Sequence, residues 1–93
     1  MSVTELPTVN QRDRDAGRIV AMLMASRGVE NQALAKRIGM SPGLLSHRIK
    51  GIRPWKLAEL DKVAAVFGVP SALLLQTPEH VVESLRSINY RSA

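Results

Sequence analysis

The side chains best suited to recognition chemistry lie in one stretch of this 93-residue chain, NQALAKRIGMSPGLLSHRIKG, residues 31–51. Ser46, His47 and Lys50 fall on one side of a predicted helix in this stretch, opposite the apolar Leu45 and Ile49. A hydroxyl, an imidazole and an ammonium group can all donate hydrogen bonds to a partner. We therefore expect an exposed face that recognises another molecule through hydrogen bonds and charge.

Basic residues are concentrated around the same stretch. Residues 27–56 contain seven basic residues and one acid, a net charge of +6, whereas the remainder of the chain carries −1. The seven are Arg27, Lys36, Arg37, Arg48, Lys50, Arg53 and Lys56. Such a local excess is typical of surfaces that neutralise phosphates. The alternative is an ordinary solvated basic surface.

Two short helices joined by a tight turn are predicted to position these side chains. Asn31 is a preferred N-cap, and Gly39 can end the first helix in the left-handed conformation. Ser41 and Pro42 suit the N-cap and first position of the second helix, which Gly51 stops. Ala35 is small where the helices must approach closely. Five apolar residues should seal the angle between them: Leu34, Ile38, Met40, Leu45 and Ile49.

These residues resemble the helix-turn-helix domains of the lambda repressor and Cro type, also called Xre-like. The resemblance covers roughly residues 13–75 and is strongest for short phage and actinobacterial regulators. It implies an all-α fold, a compact bundle of four to five helices, here with an additional C-terminal helix. The residues that carry it are Gln32, Leu34, Ala35, Ile38, Gly39, Met40, Ser41, Leu45, Ser46, Gly51, Leu60, Ala64, Gly68 and Val69.

The resemblance also implies which residues would contact double-stranded DNA. In related domains the second helix of the motif enters the major groove, and the loop after it grips phosphates. Base reading would fall to Leu44, Ser46, His47 and Lys50, and backbone contacts to Gln32, Ser41, Gly43, Arg53 and Lys56. Relatives usually carry polar base-reading residues just after the serine cap. Pro42 and Gly43 stand there in this chain, so readout at those steps would depend on DNA shape or water.

The rest of the chain predicts one small domain with flanking segments. Hydrophobic residues make up 45% and aromatic residues 3%, and alternating β-branched runs are missing, which independently favours an all-α fold. Residues 1–12 are predicted to be a flexible arm, and residues 13–76 the DNA-binding domain. Its first helix should begin at Asn10 or Asp13 and end at Gly28. Ile19, Val20 and Leu23 should be its core residues.

A fourth helix is predicted from after the loop at residues 52–55 to about Phe67, with Gly68 as its cap. Its apolar face should contain Leu57, Leu60, Val63, Ala64 and Phe67. A short fifth helix opens at Pro70 and Ser71 and runs through Leu75. It contains three adjacent leucines, of which at least one must face another surface.

Trp55, in the loop before the fourth helix, admits two interpretations. In the first, a partly buried ring closes the core beneath the second helix of the motif, with its indole N–H at a polar edge. In the second, that N–H contacts the DNA backbone.

The C-terminal segment, residues 77–93, is predicted to be a helix and tail that could dimerise. Thr77 and Pro78 form an N-cap and first-turn signature. Val81, Val82, Leu85 and Ile88 then make an apolar stripe. A homodimer contact is favoured, and folding back on the domain stays open.

The predicted function is a sequence-specific transcriptional regulator, a small repressor of the phage or prophage type. The alternative is an antitoxin whose C-terminal helix binds a toxin while its other half autoregulates the operon. Catalysis is not expected, because the two histidines lie far apart without ligand or base partners. The chain has no cysteine and no long apolar run, so we expect no cofactor, no metal site, no membrane span and a cytoplasmic protein.

Overall fold

The structure, a computed structural model, describes residues 9–83, and all secondary structure in that range is helical, which confirms the all-α prediction. Four α-helices, α1 (Gln11–Arg27), α2 (Asn31–Ile38), α3 (Pro42–Ile49) and α4 (Leu57–Phe67), precede a short 3-10 helix (Ser71–Leu75). Residues 78–83 are helical again. Residues 1–8 of the predicted N-terminal arm lie outside the described residues, as do Leu85 and Ile88, whereas Gln11 and Arg12, also assigned to that arm, belong to α1.

Asn10, one of the two predicted starts, is the N-cap of the first helix, whose first helical residue is Gln11. The Asp13 N–H donates to Asn10 Oδ1 at 2.9 Å, and the Asn10 N–H donates to Asp13 Oδ2 at 3.2 Å. This reciprocal arrangement satisfies two backbone donors at the helix start. At the other end Gly28 adopts φ 65°, as expected of a C-cap that reverses the chain.

The predicted N-cap of α2 is wrong by one residue. Glu30 is the N-cap, with extended backbone and no capping hydrogen bond from its side chain, and Asn31 is the first helical residue. The Asn31 carboxamide is used elsewhere, because its Nδ2 donates to Ser46 Oγ on α3 at 3.1 Å. The negative charge of Glu30 still lies where the helix dipole favours it.

The predicted packing of the two motif helices is confirmed. Leu34, Ala35 and Ile38 of α2 and Leu45 of α3 are buried, while Met40 and Ile49 are half-buried against the same core. Helix α1, the loop before α4, α4 itself and the residues after it complete that core with Ala16, Ile19, Val20, Leu23, Trp55, Leu60, Val63, Ala64, Phe67, Leu73, Leu74 and Val81.

Leu57 and Leu75 are among the apolar residues that lie outside the core. Leu57, predicted on the apolar face of α4, is 57% exposed. It occupies the first turn, and side chains tilt towards the helix N-terminus, so it projects past the end of the packed face. Leu75 is 41% exposed while Leu73 and Leu74 are buried, which confirms that the three leucines cannot share one core.

The crossing of α1 and α3 depends on Gly17, which the sequence did not single out. A Cβ at this position would collide with the Ile49 carbonyl oxygen and would lie 2.9 Å from that of Arg48. The two backbones can therefore approach closely only because residue 17 has no side chain. This contact fixes the position of α3, the helix that carries the candidate recognition residues.

Candidate nucleic-acid interface

The exposed edge of α3 carries two of the four predicted base-reading residues. His47 and Lys50 are exposed, and Leu44 is half-buried. Ser46 was predicted to point outward with them, but it is half-buried, and its Oγ accepts the hydrogen bond from Asn31. Its hydroxyl hydrogen remains available as a donor, so Ser46 lies at the border between α2 and the exposed edge.

The helix starts on either side of the turn present further exposed groups. Gln32 is exposed in the first turn of α2, where Glu30 provides no side-chain cap for the amides. Ser41 caps α3, as predicted, because its Oγ accepts from the Leu44 N–H at 3.2 Å. Gly43 is exposed, and a Cβ added there would meet nothing within 4 Å. Free amides at helix starts suit an anion.

The recognition loop, residues 50–56 between α3 and α4, carries the exposed side chains of Arg53 and Lys56. Its first half is tied back to α3. The N–H groups of Ile52 and Arg53 both donate to the His47 carbonyl oxygen, at 2.8 and 3.2 Å, and the Gly51 N–H donates to that of Arg48 at 3.2 Å. The backbone that leads to Arg53 is therefore bonded directly to the residue predicted to read a base.

The second half of the recognition loop is held by two carboxylates. Asp13 Oδ1 accepts from the Trp55 N–H at 3.0 Å, across 42 positions of sequence. Glu59 Oε1 accepts from the Lys56 N–H at 2.9 Å. The first bond ties the loop to α1 and the second ties it to α4.

Arg48 was counted among the basic residues of the predicted surface, but it does not lie on that surface. It is 7% exposed, and its Nη1 donates to the Pro54 carbonyl oxygen at 2.8 Å. Its Nη2 donates to Glu59 Oε2 at 3.0 Å, and its Nε lies 2.7 Å from Glu59 Oε1. The guanidinium is thus paired and desolvated, and its charge is compensated inside the domain.

The other six basic residues are all exposed, but Arg27 also has a structural contact, because its Nη1 donates to the Phe67 carbonyl oxygen at 3.1 Å. The remaining five are exposed and retain the predicted basic character of the motif: Lys36, Arg37, Lys50, Arg53 and Lys56. The positive surface is therefore smaller than the sequence count indicated, and it is centred on α2, the edge of α3 and the recognition loop.

The ring of Trp55 is buried in the core, as the first of the two interpretations predicts. The residue is only 5% exposed and belongs to the core. Its Nε1 is buried, so the indole N–H cannot contact DNA, and that interpretation is wrong. The expected polar edge is also missing, since no acceptor within residues 9–83 bonds to this nitrogen.

Asp13 is a residue of the candidate site that the sequence did not indicate. The sequence suggested it only as a possible start of the first helix, yet it is 4% exposed and accepts a hydrogen bond from the recognition loop. The Asn10–Asp13 spacing is a signal for the helix cap. Nothing in the spacing of single residues indicates the contact with Trp55, because that contact exists only once α1 packs beside the loop.

Residues 9–83 show no features of two other classes of site. No three His, Cys, Asp or Glu side chains lie close enough there to hold a metal ion. Within the same range, none of the helices has the length and apolar character needed to cross a membrane.

The chain is similar to known proteins in both sequence and fold. The BetR domain family model matches residues 16–87. The structure resembles the hypothetical transcription factor NHTF from Neisseria, with a TM-score of 0.72 and 21% identity over 87% of this chain and 93% of that one. It also resembles the clp gene regulator ClgR from Corynebacterium glutamicum, with a TM-score of 0.69 and 21% identity over 91% and 87%. No curated protein matches it in sequence.

Proposed function

We propose that this chain, which belongs to the BetR domain family, is a sequence-specific double-stranded DNA-binding transcriptional regulator of the small phage or prophage repressor kind. The observation that carries the proposal is the exposed edge of α3, which bears His47 and Lys50 and is followed directly by a loop bearing Arg53 and Lys56. Two proteins of similar fold, described as a hypothetical transcription factor and a gene regulator, support it. In this proposal the protein acts in the cytoplasm as a homodimer.

In this mechanism α3 enters the major groove, which is wide enough to admit a helix. His47 and Lys50 donate hydrogen bonds to base edges, preferentially to the acceptors of guanine. Leu44 can contact a thymine methyl group. Ser46 can contribute its hydroxyl hydrogen, because its bond from Asn31 uses only the acceptor capacity of its oxygen.

Phosphate contacts on both sides of the groove would hold α3 in register. Gln32 and the free amides at the start of α2 would meet one strand, together with Ser41 and the exposed backbone of Gly43. Arg53 and Lys56 would meet phosphates beyond the other end of α3. These contacts position the protein and carry no sequence information of their own.

The antitoxin alternative depended on an apolar C-terminal stripe that is free to cover a toxin. Val81 is fully buried in the domain core, which removes one residue from that stripe, while Val82 is 40% exposed. Leu85 and Ile88 lie outside the described residues. No contact in residues 9–83 favours the toxin partner over DNA.

The dependence of duplex affinity on salt tests the partner class. Each phosphate neutralised contributes about 0.9 to the slope of log affinity against log salt. We expect a steep slope for the wild type, and a slope lower by about 1 for Arg53→Ala or Lys56→Ala. Lys62→Ala is the matched control, since Lys62 is an exposed lysine on α4, outside the proposed interface. An affinity that does not change with salt would remove DNA as the partner.

Selection of bound duplexes from a random pool, followed by variants of the reading edge, tests sequence specificity. His47→Ala or Lys50→Ala should reduce the preference for the selected site over a scrambled duplex by about 1 to 3 kcal/mol. Gln32→Ala should weaken both duplexes equally, because its expected partner is a phosphate. If both α3 variants keep the wild-type ratio of affinities at one fixed salt concentration, α3 is not the reader.

A further inference from the structure

The recognition loop has no backbone donor left for a phosphate. From residue 51 to residue 56 every N–H group bonds to an acceptor inside the domain, and Pro54 has no N–H to offer. Any phosphate contact from this loop must therefore be made by side chains, and Arg53 and Lys56 are its exposed cations after Lys50. The affinity they contribute depends on where the loop backbone places them.

Arg48 holds the middle of the loop from the α3 side. It neighbours His47 in sequence but points inward, where its Nη1 reaches the Pro54 carbonyl oxygen at 2.8 Å. The same guanidinium donates a hydrogen bond to the Glu59 carboxylate, which also accepts from the Lys56 N–H. One buried arginine thus connects α3, the recognition loop and the start of α4.

Asp13 holds the loop independently from the α1 side. Its carboxylate accepts from the Asn10 N–H and from the Trp55 N–H, so it is itself fixed by the cap of α1. The residue is 4% exposed, so its carboxylate is too buried to contact DNA itself. Its bond to Trp55 fixes the backbone immediately before Lys56.

We propose that Arg48 and Asp13 are positioning residues for DNA binding: they fix the recognition loop so that Arg53 and Lys56 meet phosphates while His47 and Lys50 face the bases. The inference rests on the proposed function. Neither residue contacts DNA. Both act by keeping the phosphate-binding loop in a constant relation to the reading edge, and this preorganisation lowers the ordering cost of binding.

The test compares salt slopes of duplex binding for Arg48→Met, Asp13→Ala and Asp13→Asn at a temperature where circular dichroism shows each variant folded. Val20→Ala is the control for lost stability, since Val20 is fully buried in α1 and lies outside the loop and its anchors. We expect Arg48→Met and Asp13→Ala to lower the slope by about 1 to 2, as lost phosphate contacts would. Asp13→Asn keeps an oxygen for the Trp55 N–H but loses the one that accepts from the Asn10 N–H, so it should retain more of the wild-type slope than Asp13→Ala does, and Val20→Ala should retain all of it.

Coupling between a buried and an exposed residue provides the second readout. Arg53→Ala should clearly weaken duplex binding when it is introduced into the wild type. In Arg48→Met or Asp13→Ala the same change should alter duplex affinity by less than about twofold, because the phosphate contact of Arg53 is already lost there. Wild-type slopes in both folded variants, together with additive effects of Arg53→Ala, would overturn the positioning role. A wild type that binds no duplex in a salt-dependent way would instead overturn the proposed function on which it rests.

Discussion

Two glycines show how the same residue type serves the fold at one position and leaves a surface open at another. Gly17 lies under α3, where a Cβ would be 2.9 Å from the Arg48 carbonyl oxygen and closer still to that of Ile49. Gly43 lies in the first turn of α3 with nothing within 4 Å of an added Cβ. The fold therefore requires glycine at position 17, while at position 43 it does not.

Replacing each glycine by alanine should change stability in opposite directions. Gly17→Ala forces α1 and α3 apart and should cost about 1 to 3 kcal/mol, as overpacking does. Gly43→Ala lowers backbone entropy in the unfolded chain and should stabilise the domain by up to about 1 kcal/mol. Thermal denaturation measures both. If DNA approaches the backbone at Gly43, that variant will also bind duplex more weakly although it melts higher. An unchanged melting temperature for Gly17→Ala would contradict the close crossing.

Single-residue expectations succeeded where a residue's local surroundings decide its role. The Ser41 cap and the outward His47 and Lys50 follow from short-range spacing and helix geometry. Arg48 and Asp13 could not be placed this way, because charged residues are mostly exposed and sequence offers no reason to bury these two. Their partners lie on other elements, and the choice of partner depends on the tertiary fold.

At the scale of elements, the angle between α2 and α3 is set by a small apolar contact and one polar bond. Leu34 and Leu45 are fully buried where the two helices meet, and Asn31 bonds Ser46 along the same seam. The apolar part could be predicted, since residues four apart lie on one helix face. The polar part could not, because Asn31 suited an N-cap equally well. The hydrogen bond from Asn31 also explains why the Ser46 side chain turns inward.

Leu45 and Leu57 allow a matched test of this packing. Leu45→Ala removes a side chain with 0% exposure and should destabilise the domain by about 2 to 5 kcal/mol. Leu57→Ala makes the same chemical change at a residue that is 57% exposed and should alter stability by within about 0.5 kcal/mol. Chemical denaturation compares the unfolding free energies of the two variants, provided that both show the same dependence on denaturant concentration. Equal losses would mean that α4 is packed differently from the arrangement described here.

At the scale of the whole molecule, the C-terminal segment belongs partly to the domain. Val81 is fully buried in the common core, and the His80 N–H donates to the Thr77 Oγ1 at 3.2 Å, as the predicted cap requires. Sequence could not choose between folding back and dimerising, because Val81 and Val82 are adjacent and face different surroundings. The first turn of the segment folds back. A homodimer contact through residues 77–93 stays a prediction, and Val82 is its exposed described member.

Substitutions at the adjacent Val81 and Val82 therefore test folding and dimerisation separately. Val81→Ala removes a fully buried side chain and should cost roughly 1.5 to 3 kcal/mol of unfolding free energy. Val82→Glu places a charge on a residue that is 40% exposed, so it should change the melting of the monomer little. In a symmetric homodimer the same substitution occurs in both copies, so it would bring two like charges into one apolar contact. We expect sedimentation or light scattering at increasing concentration to show Val82→Glu as a monomer where the wild type dimerises. Dimers that persist in Val82→Glu would assign the contact to another surface, of which the exposed Ile52 and Leu57 are the next to substitute.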